Sequence, residues 1–256
     1  MSTVATAPPA SMLQLAEHIR RLDRGRTVAD VITDLRQIQI TTSGSVNPSH
    51  RSLERDGVSA FNFMYLRVTE AIGRLDDEPR SPFIDRLAVV FAEFYLRTYH
   101  AAVSRQAYVS KAWEPLFEDR YERRITALQF AIAGLNAHIN NDLPWALIQL
   151  WDEMPADAQE LAVQHTQFTA INGVLARAQE EVRSVLESGW MRWLDRRLRR
   201  LDDDAAGFSI AKAREFAWHR AVDLRSSSPL RQDTFHEHQV GFQSHLILAS
   251  RLDFID

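Results

Sequence analysis

Between Ile125 and Asn141 the chain carries no formal charge, and Asp142 closes the run. A helix that is apolar on nearly every side belongs inside a protein rather than on its surface. This segment therefore dictates what the rest of the chain must do: other helices have to wrap it. The same segment holds Asn136, His138, Asn140 and Asn141, and such groups are costly to bury without partners. The sequence locates a candidate site more sharply than it defines a reaction.

The flanking pattern supplies the wrapping helices. Phe61, Met64, Val68, Ile72 and Leu75 recur at helical spacing, as do Phe83, Leu87, Val90, Phe91, Phe94 and Thr98, and each set forms a core-facing stripe. Ser11–Leu22 predicts a short amphipathic helix. Thr27 and Asp30 predict a capping box for a helix from Val28 to about Ile38. Residues Thr41–Gly57 form the longest irregular stretch. A helix start is expected near Trp113, at Glu114-Pro115. Asp142 is placed to cap a new helix with Pro144 in its first turn, ending at Met154-Pro155. Further helices are expected over Asp157–Leu186, Trp190–Leu201, Ser209–Leu224 and Pro229 to about Leu248. No convincing strand alternation occurs. The expected architecture is a single all-α domain over 12–256, a bundle of about nine helices around the buried central one, preceded by a disordered tail over 1–11.

Composition removes several function classes. The net charge is −4, with 30 Lys+Arg against 34 Asp+Glu, so there is no basic face of the kind nucleic acid requires. Arg192, Arg196, Arg197, Arg199 and Arg200 cluster, but Asp202, Asp203 and Asp204 follow directly, which suits a solvated helix face. With no cysteine, disulfides, thiolate metal sites and cysteine nucleophiles are excluded. Met1–Ser11 lacks the basic start and apolar core of a signal peptide, and no segment supplies the roughly 20 apolar residues that span a bilayer. The expectation is a cytoplasmic protein with no membrane and no nucleic-acid partner.

The chemistry-bearing residues gather on the central run. If that helix stays regular, Ile125, Leu128, Ile132, Leu135 and Ile139 mark one face, and His138 lies roughly 100° away. Asp142, four residues on, would project beside His138. A carboxylate next to an imidazole fixes its tautomer and raises its basicity, as a general base or metal ligand needs. The alternative is that Asp142 is a plain helix N-cap. Asn136 and Asn140 form a second pair on the opposite flank. Gln164, His165, Gln167 and Asn172 make a further polar group, with Asn172 in the apolar context of Phe168, Ile171, Val174 and Leu175.

Two other groupings are weaker. His238 and His245 share a helix face, a spacing that histidine metal ligands can use, but no H-E-x-x-H is present and their neighbours are polar. Asp202-Asp203-Asp204 and Asp76-Asp77 invite comparison with the magnesium–diphosphate sites of helical terpene cyclases, yet both fall in expected breaks. No phosphate-binding glycine loop, G-x-S-x-G or dinucleotide fingerprint occurs.

Several segments taken together resemble a known family: Phe61-Asn62 through Tyr65-Leu66 with Val68-Thr69-Glu70, Phe91-Ala92 with Tyr95-Leu96, and Ala112-Trp113. To these are added Gly134-Leu135-Asn136-Ala137-His138-Ile139-Asn140 with Asp142-Leu143-Pro144, Phe168 with Ile171-Asn172, and Ala213-Arg214 with Ala217-Trp218. The family is an uncharacterised, largely actinobacterial all-α family classed as a domain of unknown function. The resemblance runs from about Thr27 to Leu224. Where the family pattern often has an Asp before the aromatic residue, this chain has Gln167. The resemblance supplies no mechanism, but it implies that the His138 cluster is a functional site.

The resulting expectation is an enzyme acting on a small, largely apolar molecule. His138 would be the acid/base and Asp142 its orienting partner. Asn136, Asn140 and Asn172 would donate to substrate, while Arg214 and Trp218 offer an anion contact and an apolar wall. Cyclisation, isomerisation, elimination and hydrolysis all fit, and a metal on His138 and Asp142 would lack an identifiable third ligand. The cofactor and the oligomeric state are not legible. The rival is a helical ligand-binding or scaffold protein whose Asn/His network only fixes packing, and the lesser rival is a terpene-cyclase-like enzyme.

Overall fold

Thr27 opens the first helix as expected: its side chain accepts from the Asp30 N–H while the Asp30 carboxylate receives the Thr27 N–H. In the computed structural model, which describes residues 25–75, 81–105, 108–178, 210–226 and 229–249, that helix (α1, Val28–Ser43) runs a turn beyond Ile38 and stops at Gly44. Gly44 takes the left-handed conformation, φ 80°, that favours glycine. A short helix (α2, His50–Leu53) occupies part of the stretch expected to be irregular. Asp56 then caps α3 (Gly57–Gly73), accepting from the Val58 N–H while Arg120 clasps its carboxylate. Ser81 caps the long α4 (Pro82–Ser104), and α5 (Glu114–Glu118) begins after Trp113.

The apolar run begins at a second capping box, Thr126 with Gln129. It forms α6 (Ala127–Asn136), passes through a turn of π-helix (Ala137–Asp142) and continues without a break into α7 (Leu143–Glu153). Asp142 is therefore not an N-cap. Its backbone is helical and its side chain makes no capping bond. The reason lies in Pro144. Inside a continuous helix a proline removes the hydrogen bond to the carbonyl four residues back and crowds it. The π-turn widens the backbone there, with the Leu143 N–H reaching the His138 carbonyl five residues earlier. The stranded Asn140 carbonyl instead accepts a hydrogen bond from His236 Nε2 at 2.7 Å. A histidine far along the chain thus lets the helix pass through a proline.

After Met154, Asp157 caps α8 (Ala158–Ala170), and helix resumes over 172–178. Then come α9 (Ile210–Ser226) and α10 (Pro229–Ala249). The expected helices over Ser11–Leu22 and Trp190–Leu201, the basic and acidic runs at 192–204, and Asp76-Asp77 lie outside the described residues. Among the described residues every regular element is helical, and the chain forms a single all-α domain.

Two apolar clusters meet along the central helix. The first draws Val31 and Leu35 from α1, Phe61 and Leu66 from α3, Trp113, and Phe130 and Ala133 from α6. The second draws Leu87 and Phe94 from α4, Leu143, Leu147 and Leu150 from α7, Phe168 from α8 and Trp218 from α9. Helices α3 and α6 are locked reciprocally by two glycines. A Cβ at Gly134 would sit 2.4 Å from the Phe61 ring, and one at Gly57 would sit 2.2 Å from the Phe130 ring. Each helix thus receives the other's phenylalanine where it has no side chain of its own.

Candidate active site

The π-turn places His138 at the junction of these clusters, and the i, i+4 pair read from the sequence is made. His138 Nδ1 lies 3.0 Å from Asp142 Oδ2. Trp113 Nε1 donates to both Asp142 oxygens, at 3.0 and 3.2 Å, and Asn141 Nδ2 donates to Oδ1 at 2.8 Å. Trp113 Nε1 and Asn141 Nδ2 both donate to the Asp142 oxygens, so Asp142 acts as an acceptor and His138 presents Nδ1–H to it. That assignment leaves the Nε2 lone pair free. His138 is only 1% exposed, and Nε2 is buried with no hydrogen-bond partner among the described residues.

The ring itself is held by aromatic side chains. Phe91 stacks on it face to face, centroids 3.6 Å apart and planes 6° from parallel, and Tyr65 meets it edge-on at 4.5 Å. Phe61, Trp113 and Tyr95 complete the box at 5.8, 6.0 and 6.2 Å. These residues come from three separate segments of α3, α4 and the Trp113 turn, and all belong to the segments that carry the family resemblance. Stacking leaves the imidazole few ways to rotate. A buried polar chain beside the box, Tyr95 OH to Asn62 Oδ1 and Asn62 Nδ2 to Gln39 Oε1, is internally bonded and rigidifies the support.

Beyond His138 lies a cavity of about 70 Å³ lined by His138, Tyr65, Phe91, Leu143, Ile171 and Arg214 among others. Apart from His138, Arg214, Tyr65 and Thr69, its walls are hydrocarbon. Burial raises the Tyr65 phenol well above its ordinary value, so the hydroxyl stays protonated.

Each remaining candidate from the sequence has a defined place. Arg214 lines the cavity. Asn172 does not; it accepts a hydrogen bond from Arg214 Nε at 3.0 Å and so positions the guanidinium. Asn136 and Asn140 face away from the cavity. Asn140 Nδ2 bonds Asn136 Oδ1, and Asn136 Nδ2 bonds the Val240 carbonyl and Ser244 Oγ, so this pair holds α10 against the central helix. Trp218 packs against Trp151, Phe168 and His165 at about 5 Å in the second cluster, outside the cavity lining. Gln164 is buried and accepts from Trp151 Nε1, whereas His165 meets Glu215. His238 and His245 are exposed. Among the described residues no group of three or more His, Cys, Asp or Glu is arranged to hold a metal, and no helix is long and apolar enough to cross a membrane. The residues that sequence reasoning missed are Tyr65, Phe91, Trp113 and His236. They are separated from His138 in sequence, and only the fold brings them together.

Burial holds the His138 imidazole below its ordinary range, although the bond to Asp142 pulls the other way. His236 is likewise held low by burial. Because the folded-state value lies below the unfolded one of 6.5, the unfolded chain takes up protons first on acidification. Stability should be whole above about pH 6.5 and fall from there until the folded-state pKa is passed. The loss is about 1.4 kcal/mol for each pKa unit separating the states. Melting temperatures between pH 8 and 5 check this, with His138→Gln expected to flatten the slope. Glu237, which burial pushes up, acts in the opposite sense, so the difference between wild type and variant isolates the imidazole. An unchanged slope in the variant would refute the assignment.

No curated protein and no solved structure matches this chain. A family model, described as a family of unknown function (DUF5995), matches residues 28–248. The match covers most of the sequence, including every residue of the dyad, the aromatic box and the cavity, and on that match the chain belongs to the DUF5995 family.

Proposed function

We propose that this protein is an acid–base enzyme acting on a small, largely apolar molecule, with His138 as the proton-transferring group. One observation carries the reading. His138 lines an apolar cavity and has a buried Nε2 without a partner among the described residues, while Nδ1 is fixed by Asp142. A neutral imidazole so arranged takes a proton at Nε2. The imidazolium that forms is stabilised by Asp142 and returns the proton to substrate or leaving group. A structural histidine would more simply use both nitrogens, as buried polar groups usually do. The aromatic box keeps the ring from turning, and the hydrocarbon walls favour a substrate without many polar groups.

The second reading is a ligand-binding or scaffold protein. The satisfied bonds of Asn136 and Asn140 to α10 favour it, because they show that part of the polar content of the central helix serves packing.

Turnover separates the two. Short apolar esters, epoxides and enolisable ketones incubated with the protein in D2O, followed by NMR, report hydrolysis, ring opening and proton exchange together. Wild type is expected to convert at least one class, and His138→Gln to lose about 10²- to 10⁴-fold while its circular dichroism is unchanged. No conversion, or equal conversion by the variant, would leave the ligand-binding reading.

A further inference from the structure

Arg214 carries a charge into this cavity that the protein itself does not neutralise. The residue is 5% exposed. Its Nε is taken by Asn172 Oδ1 at 3.0 Å and its Nη2 by the Phe168 carbonyl at 2.7 Å. The guanidinium carbon lies 4.0 Å over the Phe168 ring. These neutral partners hold the side chain still, yet no carboxylate pairs with it among the described residues. Several other partly buried arginines are paired with carboxylates. Arg36 has Glu70, Arg86 has Glu153, Arg120 has Asp56, and Arg26 has Asp34 and Glu93. Burial pushes the Arg214 guanidinium down to about 9, although the charge of Glu215 pulls the other way.

A buried, unpaired guanidinium is expensive. Its Nη1 makes no hydrogen bond to any described residue, and one proton of Nη2 is uncommitted beside it. This edge is the one arginine uses for planar, two-pronged recognition of a carboxylate. The rest of the cavity wall near it, Ile171, Leu175 and Ile210, is hydrocarbon. The volume of about 70 Å³ is about half that of a cavity that accepts benzene, roughly 150 Å³, so the apolar body has to be small.

We infer that the cavity binds a small monocarboxylate, with the carboxylate on the free edge of Arg214 and its short apolar body extending along the cavity that His138 also lines. The inference rests on the reading of this cavity as a substrate site and names the substrate class. Arg214 is the anion anchor and Asn172 positions it.

Titration calorimetry of the full chain with propanoate and with its neutral isostere propanamide tests the assignment. The carboxylate is expected to bind about tenfold tighter or more. In Arg214→Met that preference should collapse to within about twofold, the amide being little affected. Arg214→Gln, which keeps a donor for the Phe168 carbonyl, serves if the methionine variant does not fold, with the same expectation. Asn172→Ala should weaken carboxylate binding and leave the amide unchanged. Equal affinity for the two compounds, no binding of either, or a preference that survives loss of the guanidinium would overturn the proposal. His138→Gln keeps the two conclusions apart. Carboxylate preference retained by a variant with no turnover supports both. Retained preference in a wild type without turnover supports the anion site and rejects the acid–base reading alone.

Discussion

The Asp142→Asn protein is expected to fold and to be inactive, with turnover about 10⁴-fold below wild type. The substitution keeps one acceptor oxygen for Trp113 Nε1 and Asn141 Nδ2, but it turns the other oxygen, the one 3.0 Å from His138 Nδ1, into an N–H donor. Two donors cannot face each other, so the cheapest response is for His138 to exchange tautomers. Nδ1 becomes the acceptor and the proton moves to Nε2. The nitrogen that was an uncommitted acceptor is then a donor and cannot take a proton from substrate. The same logic costs about 10⁴-fold in serine proteases when the triad aspartate becomes asparagine, which is the source of the magnitude used here. A readout independent of substrate exists: ¹⁵N chemical shifts of the labelled imidazole should show protonated Nδ1 in wild type and protonated Nε2 in the variant. Unchanged shifts would mean that Asp142 does not set the tautomer, and the proposed mechanism would fall with it.

Gly134→Ala is expected to destabilise the fold by about 2 kcal/mol, within the range for overpacked cores. Two effects oppose each other. Helix propensity favours alanine over glycine by about 1 kcal/mol, and Gly134 is well inside α6. Against it, the new Cβ would lie 2.4 Å from Phe61 Cγ, a separation that real structures do not show. The phenylalanine cannot yield easily, because it is fully buried and wedged edge-on against Tyr95 and Trp113, at 4.9 and 5.1 Å. Packing should therefore win over propensity. Urea denaturation of the single variant and of Gly134→Ala with Phe61→Leu checks the cause, since the smaller partner should return part of the loss. A stabilised single variant would show that the ring moves freely, and the rigid aromatic box would have to be given up.

How much of this was legible in the sequence varied with the range of the interactions. Local rules worked. The capping box at Thr27 and Asp30 depends on residues three apart, and the His138–Asp142 contact, read from helical spacing, is made even though the turn that carries it is π rather than α. The errors occurred where a distant residue changed a local outcome. Leu143-Pro144 carries every mark of a helix start, and it became helix interior because His236, 96 residues from Asn140, satisfies the carbonyl that the proline abandons. The spacing of Asn136 and Asn140 is enough to pair them on one flank, and their side chains do bond. Which neighbour that flank would meet is decided by the docking of α10, which no period reveals. Asn172 and Arg214 were both marked, but not that one holds the other, since their hydrogen bond joins α9 to residues past the end of α8. The aromatic box was legible only as separate stripes, because convergence on one imidazole is a property of packing.

The π-turn also has a meaning in the currency of insertions. A turn of π-helix carries one residue more than the α-helix it interrupts, and one extra residue rotates everything after it by about 100°. Upstream, Phe130 and Ala133 point into one apolar cluster, and downstream Leu147 and Leu150 point into the other. The wider turn thus bears on two features at once, a helix that serves two cores and an imidazole lodged where they meet. Architecture and candidate chemistry in this chain therefore depend on one turn, and deleting a residue from it would rotate one half of the helix off its core and move the imidazole from the junction.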